Sequence, residues 1–458
     1  MKLNSQTSQR REDITSKPIA NQLVKLTIPM LYALVAIMSL GLADSYFISY
    51  LGTDQLAAIG FIIPITSVVT SLGLGLGMAI SSLTSKLIGA NKLSSASRLI
   101  TDGFYLTGLI ALLAVLILVL QLEAIFMSIG ANSVTMPLIS NYMLIWMFAV
   151  PLVMYTMVCA STFRSLGDTA SSAQIAISMT LLNIILDPVL IFGLGPFPEM
   201  GMRGAALATV IAVVVSCSIG FYKLGVKEKL LLWALPRYLE FKSDLKQLLE
   251  IAIPAVLANA IVPITAAVLT TLVAKFGSGA VAGYGVGVRV EAVSLMIVYA
   301  MSSTLPMFIG QNLGANKPER AFAAIKLSFR FVMFLQFGIF LILIVAANPI
   351  AQLFSSDAAV IETITTYLWI APLSYGLCGV VILINVSMNV LGKPRLALYI
   401  NILRLMLFYL PLAYLGAHWY GLTGLFVGIA LGNCCAYYLA NFFLKQTLNE
   451  MEIKSVAN

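Results

Sequence analysis

Charge is what this sequence has least of. Only 10% of its 458 residues are Asp, Glu, Lys or Arg, while 60% are hydrophobic and the mean hydropathy is +0.96. Soluble domains carry about a quarter charged residues, so this scarcity excludes a soluble globular protein. Histidine is scarcer still. The one histidine, His418, reads as a surface residue of a short outer loop, and the five cysteines, Cys159, Cys217, Cys378, Cys434 and Cys435, have neither zinc nor redox spacing. All five fall in apolar runs, where they act as small packing residues. With no histidine, metal cluster or activated nucleophile inside those runs, neither an enzyme nor a cofactor is expected. The N-terminal stretch, polar and charged over about twenty residues, argues against a cleavable signal peptide.

What the sequence has in abundance is apolar runs of membrane length. Twelve spans are expected, at 23–48, 56–83, 98–121, 137–163, 170–195, 204–222, 248–273, 280–310, 321–346, 360–388, 395–416 and 421–444. They are apolar on every face and too long for barrel strands, so the fold class is an all-α polytopic membrane protein. Lysines and arginines crowd the loops on the side of the N-terminus, whereas only Arg203, Lys275 and Arg289 fall on or near the opposite side. The positive-inside rule then places both termini in the cytoplasm, with a bacterial cytoplasmic (inner) membrane as the expected location. The net charge of +8 is mostly this asymmetry, which points to anionic lipid headgroups rather than nucleic acid.

The chain repeats itself at one constant offset, the interval that carries Ile28 onto Ile253. At that offset Pro29 aligns with Pro254, Gly52 with Gly277, Ala57 with Ala282, Gly60 with Gly285, and Leu166-Gly167 with Leu391-Gly392. The run Gly89-Ala90-Asn91-Lys92 meets Gly314-Ala315-Asn316-Lys317, and no gap is needed anywhere. Six spans per half is an even number, so the halves are parallel repeats, a transporter design with substrate expected between two lobes and alternating access by rocking. The expected organisation is a cytoplasmic tail (1–22), an N-lobe (23–222), a cytoplasmic linker (223–247), a C-lobe (248–444) and a second cytoplasmic tail (445–458).

Acids inside the spans are few, and a carboxylate in the hydrocarbon layer costs roughly 2.5 to 3.5 kcal/mol on insertion scales, which makes each one a functional candidate. Asp44 sits near the end of the first span, and its repeat counterpart is Leu269, so the helix is built without an acid in the second half. The competing reading is that Asp44 marks the wet end of its helix. Asp187 lies in the fifth span four residues after Asn183, on the same helix face, and Pro188 follows it directly. An amide and a carboxylate on one face make an oxygen-rich corner for a proton network or a hard cation such as Na+. At 1.5 Å per residue, Asp44 and Asp187 lie roughly 6 and 12 Å from the outer ends of their spans. Thr209, in the descending sixth span, is at a similar depth, so Asp44, Asn183, Asp187 and Thr209 are expected to share one cation-coupling pocket. Asp44 and Asn183 are also the candidates for contacting substrate. Glu291 in the eighth span is read as a local partner of Arg289, and Arg404 in the eleventh as a residue that snorkels or lines a cavity. The glycines of "SLGLGLGM" and "GYGVGV" indicate close helix packing, since no strand precedes them and no Lys-Ser pair follows.

The twelve-span parallel repeat, the spacing from Pro29 to Asp44, "KLIGANK", "QNLGANKPERA" and "FRSLGDT" together resemble the multidrug and toxic compound extrusion (MATE) family, over essentially the whole chain from about residue 20. Within it the chain looks like the DinF-like branch. That resemblance implies an antiporter, acting as a monomer, that exports organic cations or amphipathic drugs in exchange for H+ or Na+ and so contributes to antibiotic resistance. It carries the cation-coupling role onto Asp44, Asn183 and Asp187, with Thr209 a weaker match, and a helix-bending role onto Pro29. The alternative reading is a flippase of lipid or lipid-linked oligosaccharide with related architecture, which would call for a basic cavity.

Overall fold

The structure, a computed structural model, describes residues 5–232 and 238–457. Lys2 of the basic tail and Arg237 of the basic connector lie outside the described residues. Every regular element among the described residues is a helix, as long apolar runs must be where lipid offers the backbone no hydrogen bonds. In chain order these are α1 (Ser5–Ser16), α2 (Ile19–Ser49), α3 (Thr53–Gly89), α4 (Leu93–Ser128), α5 (Thr135–Trp146), α6 (Ala149–Ser165), α7 (Thr169–Phe192), α8 (Met202–Tyr222) and α9 (Tyr238–Ala274). There follow α10 (Ser278–Ser294), α11 (Met296–Gly314), α12 (Pro318–Phe354), α13 (Ala358–Ile370), α14 (Tyr375–Val390), α15 (Pro394–Ile402) and α16 (Leu410–Ala457).

Among the described residues, nine stretches are long and apolar enough to cross a membrane singly, and two more spans are bent pairs: α5 with α6, at 53°, and α10 with α11, at 44°. The twelfth emerges from α16, whose backbone leaves helical geometry at Tyr420 and Gly421. Around that break the chain folds back on itself. A Cβ added at Gly424 would strike the backbone of Gly416, one at Gly428 that of Leu412, and one at Gly432 that of Tyr409. Such pairing belongs to an antiparallel hairpin, held close because these glycines have no side chain. The chain therefore has twelve spans, and His418 lies exposed on the helical turn just before the reversal rather than in a loop.

Two compact units divide the chain. Val24–Val256, with α1 and Gly314–Asn316, forms the first, and Leu257–Leu313 with Lys317–Asn458 forms the body of the second. In the first unit α3 packs on α6 through small residues: a Cβ at Gly73 would meet Met157 Sδ at 2.8 Å and one at Gly77 would strike Ser161. Phe126, Met143, Met154 and Phe163 fill the core there. The N-terminal segment is a docked helix rather than a free tail. Arg10 pairs with Asp168 at 2.9 Å, Thr7 donates to Glu228 at 2.9 Å, and Ile14 is 2% exposed.

The sequence repeat is also a repeat of backbone conformation. Positive φ occurs at Gly52 (129°) and Gly277 (103°), at Asn91 (59°) and Asn316 (56°), and at Gly167 (79°) and Gly392 (85°), each pair related by the repeat offset. Glycine and asparagine are the residues that tolerate this left-handed region, which is why these turns kept them. The break between α5 and α6 recurs as the 3-10 turn Ala371–Ser374 between α13 and α14. Two features of the second half lack a counterpart. The break at Leu295 faces continuous α3, and the π-helical segment Leu403–Tyr409 faces regular α7.

Candidate functional site

α2 runs as one helix through Pro29 to Ser49, so Asp44 lies five residues inside its C-terminal end. α7 stops at Phe192 because Gly193 takes the left-handed conformation (φ 71°) and closes the helix, which leaves Asp187 also five residues inside its end. Both acids therefore stand about 7.5 Å from their helix ends, at equal depth rather than at the unequal depths expected from the sequence. Equal depth brings them together. The half-buried Asp44 and the buried Asp187 have their carboxyl groups within hydrogen-bonding reach of each other. A carboxylate near a helix C-terminus gains nothing from the backbone dipole, so the position is not explained as a cap.

Asn183, one turn before Asp187, completes the expected corner. With its amide turned to satisfy both neighbours, its nitrogen donates to Asp187 Oδ2 at 2.8 Å and its oxygen accepts from Thr209 Oγ1 at 3.1 Å. Thr209 stands on α8, half-buried. The four residues singled out in the sequence thus form one contiguous network within the first unit. Leu269, the counterpart of Asp44, is 1% exposed and packs as an ordinary apolar residue.

A fifth member is not evident from the sequence reading. Tyr142 of α5, itself partly buried, brings its hydroxyl within hydrogen-bonding reach of Thr209, close to both acids. A signal for it exists: Tyr142 aligns with Tyr367 at the repeat offset. In the second unit Tyr367 donates its hydroxyl to Glu291 Oε2. Glu291 is therefore engaged across to α13 and, among the described residues, forms no ion pair with Arg289, contrary to the sequence expectation. The geometry favours this, because Gly287, one turn before Glu291, lies under the Tyr367 ring, which a Cβ there would strike within 2.5 Å.

Two carboxyl groups in contact offer only acceptors when both are ionised. The pair is stable only with a proton or another cation between its oxygens, and Asn183, Thr209 and Tyr142 are bonded around it. No cluster of three or more His, Cys, Asp or Glu able to hold a metal occurs among the described residues.

Comparison with known proteins follows the same repeat. The MatE family matches residues 29–189 and again 254–415, two segments whose starts, Pro29 and Pro254, are repeat partners. The chain is 39% identical to the FAD transporter of Shewanella oneidensis over 94% of this chain and 96% of that one, and 28% identical to the multidrug export protein MepA of Staphylococcus aureus over 89% of each. It superposes on the MATE transporter VcmN of Vibrio cholerae in its bent form with a TM-score of 0.90 and 33% identity, covering 98% of this chain and 99% of the other. With both halves matched and near-complete relatives on either measure, the chain belongs to the MATE family of membrane transporters.

Proposed function

We propose that this transporter exports small organic molecules by alternating access, driven by a cation that enters through the Asp44–Asp187 pair. The contact between the two carboxyl groups carries this reading, because it requires a cation and sits where an acid is otherwise costly. A carboxyl group out of water is a reversible proton carrier. Of H+ and Na+ the proton is favoured, since Asn183 spends its nitrogen on Asp187 and its oxygen on Thr209 rather than offering that oxygen to a metal ion. Pro29, which lacks the amide hydrogen that would close its turn, gives α2 a place to bend when the pair changes state, as the DinF-like resemblance implies.

Two substrate classes have support. MepA, a multidrug exporter by name, favours organic cations and drugs, which the acidic first-unit site suits; the FAD transporter, the relative with higher identity, favours an anionic flavin dinucleotide. Proteoliposomes holding the full chain, with proton and sodium gradients imposed separately, test both the coupling and the substrate. Ethidium and FAD transport are expected to follow the proton gradient and to fall about tenfold or more in Asp44→Asn and Asp187→Asn, the equivalent of at least about 1.4 kcal/mol. Correctly inserted variants with full activity would sink the proposal.

A further inference from the structure

The second unit holds a polar cluster of its own, built on the repeat-related tyrosine. Tyr367 of α13 hydrogen-bonds Glu291 of α10, and its ring packs against Phe426 (centroids 5.0 Å) and Tyr284 (5.9 Å). Arg404, on the π-helical segment, donates from Nη2 to Cys378 Sγ at 3.0 Å, while its Nε has no hydrogen-bond partner. Tyr299 and Tyr409 lie within its electrostatic reach, as does Glu291.

Arg404 and Glu291 do not neutralise each other as a structural pair would. Glu291 is held by Tyr367, and Arg404 spends its bond on a sulfur, a weak acceptor. A guanidinium left this way in a span is costly unless something else meets it. Its surroundings are not sealed either: Arg404, Glu291 and Tyr409 each keep part of their surface open, and Tyr299 is 41% exposed.

The break and the π-helical segment of the second half, neither of which the first half shares at those positions, fall at these residues. The helix breaks at Leu295, four residues after Glu291, and the π-helical segment begins one residue before Arg404. π-Helical turns inside regular helices are frequent at functional sites, because the extra residue re-aims a side chain. The same tyrosine position thus serves two sites of different charge: two acids around Tyr142, one acid and one guanidinium with an unpartnered Nε around Tyr367.

We infer that the cluster of Arg404, Glu291, Tyr299, Tyr367 and Tyr409 is a substrate subsite that receives a planar aromatic group bearing a phosphate or carboxylate. The guanidinium fork matches either anion in bidentate fashion, and Tyr299 and Tyr409, neither fully buried, supply ring faces and hydroxyl donors, while Tyr367 holds Glu291 in place. Glu291, held by Tyr367, stays within electrostatic reach of Arg404 without pairing with it, which leaves the guanidinium available to an anion. This inference deepens the export reading and rests on it for the word substrate, though binding itself is measured separately.

The test uses the full chain in detergent and a matched pair of fluorescent probes, riboflavin and riboflavin 5′-phosphate, which share a ring and differ in the phosphate. The wild-type chain is expected to bind the phosphate form about tenfold or more tightly, within the range of a charge-assisted hydrogen bond. Arg404→Gln should bring the two affinities within about twofold by weakening only the phosphate form, Arg404→Lys should keep part of the preference, and Glu291→Gln should retain it. A wild-type chain without that preference, or an Arg404→Gln chain that keeps it, overturns the inference. If Arg404→Gln does not accumulate as folded protein, Arg404→Lys decides, an undiminished preference counting against the inference. Asp44→Asn separates the two readings: it should keep the binding preference while transport is lost, and unimpaired transport in that variant would overturn the export reading alone.

Discussion

Asp44 shows how much a single residue's meaning depends on its partner. Alone it is an acid near the end of a helix; within hydrogen-bonding reach of Asp187 it is half of the carboxyl pair to which we assign the coupling cation. The side chains around the pair then acquire graded roles. Thr209→Val removes the donor to Asn183, and a stability loss of about 1 kcal/mol is expected for one neutral hydrogen bond. The pH at which transport is half-maximal should move in that variant, with substrate affinity little changed. Tyr142→Phe should move the same midpoint as well, because its hydroxyl lies within hydrogen-bonding reach of Thr209 and close to both acids. Transport measured against pH in proteoliposomes checks both, and an unshifted midpoint in Thr209→Val would remove Asn183 and Thr209 from the coupling network.

At the scale of elements, glycine decides where helices approach each other and where they stop. Gly287 admits the Tyr367 ring against α10, so Gly287→Ala must move an aromatic side chain that is 1% exposed, and a destabilisation of roughly 1 to 3 kcal/mol is expected from overpacking. Gly285 on the same helix has no atom within 4 Å of an added Cβ, so Gly285→Ala should cost nothing and supplies the control in a thermal unfolding series. The turns behave differently. Asn91→Gly should lose only the exposed bond that Arg11 donates to Asn91 Oδ1, whereas Asn91→Val should cost about 1 to 2 kcal/mol more through its positive φ, and the same backbone penalty should appear at Asn316, its repeat partner. Much of this is legible in the sequence, where the "GANK" runs follow the second and eighth spans and the glycine-rich stretches point to close packing. The left-handed stop at Gly193 is not, and it decides that Asp187 stands level with Asp44, because a helix end depends on cap geometry that apolar periodicity does not report.

For the whole molecule, parity is the constraint. Twelve spans return the chain to the face on which it began, so reporters fused to the two ends should signal the same compartment, and the excess of lysine and arginine in the loops on that side makes the cytoplasm the expected one. Opposite signals would mean an odd number of crossings and would dissolve the parallel repeat. The hairpin at Tyr420 and Gly421 is the place where this count is most easily lost, since helical geometry is interrupted there for only two residues.

Composition and period by themselves determine the larger outline. So few charges over so many apolar residues leave a chain no stable home but a bilayer, and a single gapless offset, the one that carries Pro29 onto Pro254, makes its two halves alike. The helix-face spacing of Asn183 and Asp187 is equally local, and so is legible. What tertiary structure alone decided is every relation between spans far apart in sequence. That Asp44 of the first span meets Asp187 of the fifth, that Glu291 turns to Tyr367 instead of its neighbour Arg289, and that the buried Nε of Arg404 is left without a partner follow from how helices pack. Spacing along one helix constrains a face; only packing selects which faces share a site.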